Sequence, residues 1–338
     1  MTKSNINFGS RPHLSRRRFL AIAAGVAALP GLVQVGAQAG FPLTGQDLIR
    51  WRGVALGAEA SITLAHPDPA EGRELIARCL DEIIRLERVF SLYRPDSALS
   101  QLNRTGVLLA PPLDLVRLLA EAQRFSQLSG GAFDVTVQPL WALYADHFSR
   151  ADADPAGPSV EAIERTRALV DWKAVKVSPD RVTLERPGMA ITLNGIAQGY
   201  ITDRVGDLLR ANGLNHVLLD LGETLALGPD LDGRPWRVGI ADPAAPKHQT
   251  LETLDLDGKA LATSGGYGTR FDAAGRFHHL FDPASGRSPH YLASVTVVAA
   301  SATVADALST TLAVLPLAAG ATLAQSLAGV GPVIRVRT

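Results

Sequence analysis

The sequence predicts an α+β fold, on three observations. Short apolar runs of strand length recur through the second half of the chain. Long amphipathic stripes at helical spacing fill much of the first half. The two kinds of element then mix without the strict βαβ rhythm of a parallel sheet. With 338 residues, 46% of them hydrophobic, the chain suffices for one large domain or two intimate lobes around a buried core.

Taken in order, Trp51–Leu64 reads as a strand ending at His66-Pro67. Asp68 is then an N-cap and Pro69 sits at the first helical position, where its missing N–H is not needed. The helix runs to about Val89, with Leu75, Ile76, Cys79, Leu80, Ile83 and Ile84 on its apolar face. Cys79 is the single cysteine, so no intramolecular disulfide is available, and it reads as a small apolar core residue. A second helix covers Leu113 to Leu128 through Leu115, Leu118, Leu119, Ala122 and Phe125, and Gly130-Gly131 stops it. Ala151–Ser159 is the loosest segment, a surface loop or a neck between lobes. Strands are expected at Arg181–Leu184, Ala190–Leu193, His216–Leu221, Trp236–Ile240, Leu261–Thr263 and Ser294–Ala299. Helices are expected over Ala197–Asn212, with Gly213 as its stop, Val304–Leu315 and Leu317–Leu327.

The N-terminus reads as an address. Ser15-Arg16-Arg17-Arg18-Phe19-Leu20 is a twin-arginine pattern, followed by an Ala/Gly-rich apolar stretch to Val35 and a small-residue cleavage site at Ala37-Gln38-Ala39. The stretch is short and broken by Pro30, which fits a cleaved Tat signal over residues 1–39 better than a membrane anchor. The mature domain is then 40–338, periplasmic and without a membrane span. Residues 1–39 hold five basic residues and no acidic ones, leaving 28 basic against 33 acidic residues in the remainder. A mildly acidic domain argues against a nucleic-acid partner, whose phosphates call for clustered Lys and Arg.

No GxGxxG, Walker loop, GxSxG elbow or Cys/His zinc spacing is present. The chemistry-bearing features are polar, Gly-rich turns at strand ends. Leu261–Arg270 (LATSGGYGTR) is the densest of them: successive glycines let backbone N–H groups approach an anion, and Thr263 and Ser264 add hydroxyls. The same run also fits a glycine-rich hairpin turn. In Phe277–Pro283 (FHHLFDP), adjacent His278 and His279 point to opposite faces if the segment is extended. Asp306 and Thr310, four apart, share a helix face. Asp306 serves the helix dipole there, or the two hard oxygen donors suit Mg²⁺. Tyr93, in the polar loop after the first long helix, stacks on an aromatic ligand or simply packs.

Taken in order, the segments SLYRPDSALSQLN, GGAFDVTVQPLW, LNGIAQGYITD, PWRVGIADP, ALATSGGY, HHLFDPASG and ADALSTT, spread from Phe90 to Leu315, resemble the ApbE-type FAD:protein FMN transferases. The resemblance implies a two-lobed single domain, with mixed or antiparallel sheets and packed helices, and FAD bound as substrate in the cleft between the lobes. It implies Mg²⁺-dependent transfer of FMN from FAD to a Thr or Ser hydroxyl of a partner flavoprotein, with AMP leaving. Carried over by motif position, Tyr93, Ala132, Phe133, Asp134 and Leu280 contact FAD. Asp306, Thr310 and the Gly195 carbonyl hold the metal, and His279 is the candidate proton acceptor, with His278 facing away. The family's usual acidic residue and Lys are Thr192 and Gln198 here, two further candidates for FAD contact, and its second glycine is Glu223. Two alternatives stay in view: a Mg²⁺-dependent FAD pyrophosphatase giving FMN and AMP, in which water replaces the acceptor at the same site, and a protein that binds FAD without cleaving it, which Thr192 and Gln198 keep open.

Overall fold

The structure, a computed structural model, describes residues 47–245 and 249–337; the signal segment read over residues 1–39 lies outside them. β1 (Asp47–Ala55) and β2 (Ala58–His66) form an antiparallel hairpin. Its turn, Leu56-Gly57, has positive φ at both residues (55° and 80°), which suits the twist of a tight hairpin. The single strand expected over Trp51–Leu64 is therefore two, hidden because apolar alternation runs through a turn that lacks the usual polar residues. α1 (Pro69–Phe90) starts as its cap predicts, with Asp68 Oδ1 accepting from Ala70 N at 2.7 Å. Cys79 is buried on its inner face. The polar segment after it folds further than expected. Ser97 Oγ accepts from Ser100 N at 3.0 Å and opens α2 (Ala98–Thr105).

β3 (Val107–Leu109), α3 (Leu113–Leu128), a 3₁₀ turn at Val135–Val137, α4 (Gln138–Phe148) and α5 (Val160–Arg167) follow, with Ala151–Ser159 looping between the last two. Then come β4 (Val175–Val177) and β5 (Arg181–Leu184). The strand expected over Ala190–Leu193 is absent. The Asn103 amide occupies this backbone instead, donating to Ile191 O at 2.8 Å and accepting from Ile191 N at 2.7 Å, while Thr192 N donates to Val135 O at 2.8 Å. The rest of the chain comprises α6 (Ala197–Ala211), β6 (Val217–Asp220), β7 (Thr224–Leu227), β8 (Trp236–Ala241), β9 (Thr250–Leu256), β10 (Ala260–Gly265), β11 (Leu292–Ala299), α7 (Ala302–Val314), α8 (Leu317–Ser326) and β12 (Val330–Arg337).

Among the described residues the strands make three sheets with antiparallel pairing: β1-β2-β6-β7-β10-β11-β12, β3-β5-β4, and the β8-β9 hairpin. The class is α+β. The largest core joins one face of the seven-stranded sheet (Ile62, Val217, Leu219, Val295) to α1, α3, α6 and α7 through Ile83, Leu118, Val205 and Leu308. Leu218, Ala226 and Leu261 alternate to the other face and pack under Trp236, Val238 and Leu256 of β8-β9. Burial on both faces is why β6 and β7 read as continuous apolar runs. A separate aromatic cluster holds α4 and α5 together: Leu140, Tyr144 and Ile163 pack with Phe281, Phe271 and Phe277.

α6 and α7 are joined by reciprocal carboxylate–amide bonds. Asp203, on α6, accepts from the first N–H groups of α7, Ala302 N and Thr303 N, both at 2.8 Å, and from Thr303 Oγ1 at 2.5 Å. Asp306, on α7, returns the contact by accepting from Gly199 N in the first turn of α6 at 3.0 Å. Each carboxylate thus meets unpaired N–H groups at a positive helix end. The approach is close: a Cβ at Gly199 would lie 2.3 Å from the Ala302 carbonyl oxygen and 2.8 Å from Asp306 Cβ. Backbone cannot yield there as a flexible side chain can. Gly199→Ala is expected to destabilise the protein by about 1–3 kcal/mol, measured by denaturant unfolding. A loss below about 0.5 kcal/mol, the scatter of neutral surface changes, would show that the two helices do not depend on this contact.

Candidate active site

A cavity of about 770 Å³ opens between the sheet-and-helix core and the aromatic cluster, lined from both. It gathers every residue singled out from the sequence: Tyr93, Ala132, Phe133, Asp134, Thr192, Gly195, Gln198, His279, Leu280, Asp306 and Thr310. Phe133 and Leu280 are buried, and Phe281 and Trp141 extend the apolar wall. Tyr93 is 54% exposed, its hydroxyl bonded to the Asn194 side chain. Asp134 is engaged in local structure. Its Oδ1 accepts from Thr136 N (2.8 Å) and Thr136 Oγ1 (2.5 Å), and its Oδ2 from Trp172 N (3.0 Å), which ties the GGAFDV turn to the chain 38 residues on.

His278 and His279 diverge, although their segment is an isolated bridge rather than a strand. His278 is buried away from the cavity lining, Nε2 on the Pro289 carbonyl at 2.9 Å, and burial pushes its pKa down to about 4. His279 lines the cavity. Its Nδ1 is held at the Thr269 peptide, 3.2 Å from the N–H and 3.3 Å from the carbonyl oxygen. That peptide can satisfy Nδ1 in either protonation state, which leaves Nε2 for exchange with a ligand. Desolvation keeps His279 below its ordinary pKa and therefore neutral at pH 7.

The polar end of the cavity is rich in oxygen. Asp306 is 3% exposed, and Thr310 Oγ1 lies 3.1 Å from Ser264 Oγ, which in turn meets Ser309 Oγ at 2.7 Å. Gly195 packs directly on Thr310: a Cβ there would stand 2.9 Å from its Oγ1, so only glycine brings the main chain this near the hydroxyl. Two more carboxylates join this end: Glu223 in the turn to β7, the departure from the family's glycine pair, and Asp220 at the close of β6, which no local sequence signal marked. Burial raises all three. Asp306 is pushed up to about 7, also by the charge of Asp203, and Asp220 to about 6. Glu223, 7% exposed, is driven well above the ordinary range by burial and then by Asp306 and Asp220, against a stabilising bond from Thr263 N.

Among the described residues, Arg52, on β1 at the exposed rim, is the one Lys or Arg in the lining. Among the described residues no group of three or more His, Cys, Asp or Glu side chains is placed to hold a metal. A cation here would be held by a mixed set instead: one carboxylate, one hydroxyl and a main-chain carbonyl. That set of hard oxygen donors fits Mg²⁺, which keeps waters and substrate phosphate oxygens for its remaining positions.

The raised carboxylates have a consequence for stability. A carboxyl whose folded pKa exceeds its unfolded value favours the native state at low pH and loses that contribution as pH rises through the folded value. Between pH 4 and 7, wild type should therefore lose stability relative to Asp306→Asn, and millimolar Mg²⁺ should shrink the difference. Thermal unfolding of both proteins across that range reads it; parallel curves would show that Asp306 is not strained by ionisation.

The family model described as ApbE family matches residues 56–334. The FAD:protein FMN transferase of Vibrio cholerae is 30% identical over 289 residues, covering 83% of this chain and 85% of that protein. The solved structure of the flavin transferase ApbE from Vibrio cholerae superposes with a TM-score of 0.72 at 28% identity, over 87% of this chain and 94% of that one. The apo Pseudomonas stutzeri flavinyl transferase ApbE gives 0.71 at 29% identity, over 87% and 96%.

Proposed function

The chain belongs to the ApbE family, and we propose that it transfers FMN from FAD to a Thr or Ser hydroxyl of a partner protein, with Mg²⁺ as its metal. The observation that carries this reading is the single cavity that joins an apolar aromatic wall, an oxygen-only donor set and a neutral histidine. The family membership and the named transferase relatives support it.

In this reading the flavin lies along Phe133, Leu280 and Tyr93, with Thr192 and Gln198 offering polar contacts. The diphosphate points toward Asp306, Thr310 and Gly195, the residues that would hold Mg²⁺. When bound, Mg²⁺ would neutralise diphosphate charge and polarise the phosphorus under attack. The acceptor hydroxyl oxygen forms a bond to the phosphorus on the FMN side. The bond from that phosphorus to the bridging oxygen breaks, and AMP leaves with that oxygen. The hydroxyl proton passes to His279 Nε2, while Nδ1–H donates to the Thr269 carbonyl and stabilises the imidazolium. The apolar wall excludes water, which would otherwise compete as acceptor and release free FMN.

The address read over residues 1–39 supports export through the Tat pathway, with the mature domain, 40–338, acting in the periplasm. Among the described residues no helix is long and apolar enough to cross a membrane. The acceptor would accordingly be a membrane-bound or periplasmic flavoprotein.

Mature protein mixed with FAD, Mg²⁺ and a Thr-bearing acceptor should yield flavin fluorescence that stays with the acceptor on a denaturing gel. Absence of covalent flavin on any acceptor of a cell-envelope fraction would overturn the transferase reading. His279→Ala should lower the transfer rate by roughly 10²–10⁴-fold, the usual contribution of a positioned base, with FAD affinity little changed. A rate within threefold of wild type would remove His279 from the chemistry.

A further inference from the structure

We propose that Asp203, which does not line the cavity, is a positioning residue of the metal site, setting the spacing between the two halves of its donor set. The inference rests on the reading of Asp306, Thr310 and Gly195 as that set. Those donors come from two elements. Gly195 lies in the turn just before α6, while Asp306 and Thr310 project from α7. Nothing in the chain between them fixes their separation, since more than 100 residues intervene. Gly195 meets Thr310 directly, and the two elements are tied again where α6 meets the start of α7.

Three contacts define that junction. Asp203 grips the start of α7 through Ala302 N, Thr303 N and Thr303 Oγ1, and so fixes both the rotation and the axial position of the helix. The next N–H of α7, Val304 N, donates to Ser301 Oγ at 3.2 Å, which caps the helix but ties it to nothing on α6. Asp306 Oδ2 takes the N–H of Gly199, which orients the carboxylate and leaves Oδ1 for a ligand. Backbone contact at Gly199 sets the limit of approach, 2.3 Å from a Cβ there to the Ala302 carbonyl oxygen. Asp203 sits one helical turn beyond Gly199, and Asp306 one turn beyond Ala302. The two carboxylates are thus reciprocal arms of one junction, one arm facing the cavity and the other, half-buried, outside its lining.

Mg²⁺ makes such spacing consequential. It demands near-ideal octahedral geometry at short bond lengths, so a shift of a few tenths of an ångström between Gly195 and Thr310 penalises it more than a flexible, larger cation. Residues that orient metal ligands without touching the metal typically change metal affinity by 10–100-fold when altered.

The test is Mg²⁺ titrated calorimetrically into the protein saturated with ADP, a diphosphate with no flavin to transfer. Asp203→Asn removes one acceptor and sets an amide N–H against the α7 amides; Asp203→Glu keeps the charge but lengthens the arm. Both are expected to raise the Mg²⁺ dissociation constant about tenfold or more and to weaken Ca²⁺ binding less. Transfer at saturating Mg²⁺ should recover, a shift in half-saturation without a matching fall in kcat. Thr303→Val removes a single bond of the grip and, if the Asp203 variants do not fold, supplies the milder case, expected at about threefold. A merely structural role would lower Tm without moving the Mg²⁺ midpoint of the folded protein. A midpoint within twofold of wild type in the folded Asp203 variants, or in Thr303→Val where they do not fold, overturns the proposal. Asp306→Ala separates the two levels: if it binds Mg²⁺ like wild type, or if wild type binds none, the ligand assignment itself fails.

Discussion

The contact of α6 with α7 is the constraint on which the candidate site depends. Two helices rarely approach until backbone meets backbone, because side chains hold them 8–10 Å apart at the axes. Here Gly199 removes the side chain, and the carboxylates of Asp203 and Asp306 replace apolar packing with bonds to helix-end amides. Such bonds are directional, so they set rotation and translation together, which a smooth apolar interface does not. A helix cap of this kind contributes about 0.5–2 kcal/mol, modest against the whole fold. Its value lies in geometry: it carries the turn before α6 and the face of α7 to one end of the same cavity.

That end gathers three carboxyl groups, and among the described residues Arg52, at the exposed rim, is the one Lys or Arg of the lining. Glu223 and Asp306 are buried and Asp220 is half-buried, and each is destabilised by ionisation despite a backbone N–H donated to it. A folded protein retains such an arrangement only when something compensates, either protons or a bound cation. The opposite wall is aromatic and apolar, contributed largely by Phe133, Leu280, Phe281 and Trp141. One cavity therefore offers a charged half and an oily half, the division that a flavin dinucleotide itself has. His279 stands on this lining with one ring nitrogen fastened to the Thr269 peptide, so its orientation is fixed by the main chain rather than by another titrating side chain.

Several parts of this arrangement were legible in the sequence. The Asp68-Pro69 start of α1, the Gly130-Gly131 stop after α3 and the Gly213 stop after α6 all follow from local capping chemistry, which acts within one turn. Asp306 and Thr310 could be placed on one helix face by spacing alone. Other parts were not legible. The strand expected at Ala190–Leu193 satisfied every local criterion, yet the amide of Asn103, 88 residues away, claims that backbone. The hairpin turn at Leu56-Gly57 carries an apolar residue in a conformation that sequence patterns assign to Asn, Asp or Gly. Asp134 was expected at the flavin, and the structure shows its carboxylate also closing the 3₁₀ turn and binding Trp172 N.

By itself, the sequence determined the fold class, most of the helices, the family to which its ordered motifs belong and the likeness of its first 39 residues to an export address. These depend on periodicity, capping and motif order, which are written within a few residues of one another. Tertiary structure alone decided that Asp203 governs the start of α7 and that Asp220 joins Glu223 and Asp306 at one end of the cavity. Each of those outcomes depends on a partner supplied by a distant element, and a carboxylate or imidazole has no character of its own until the fold has chosen its neighbours and removed its water.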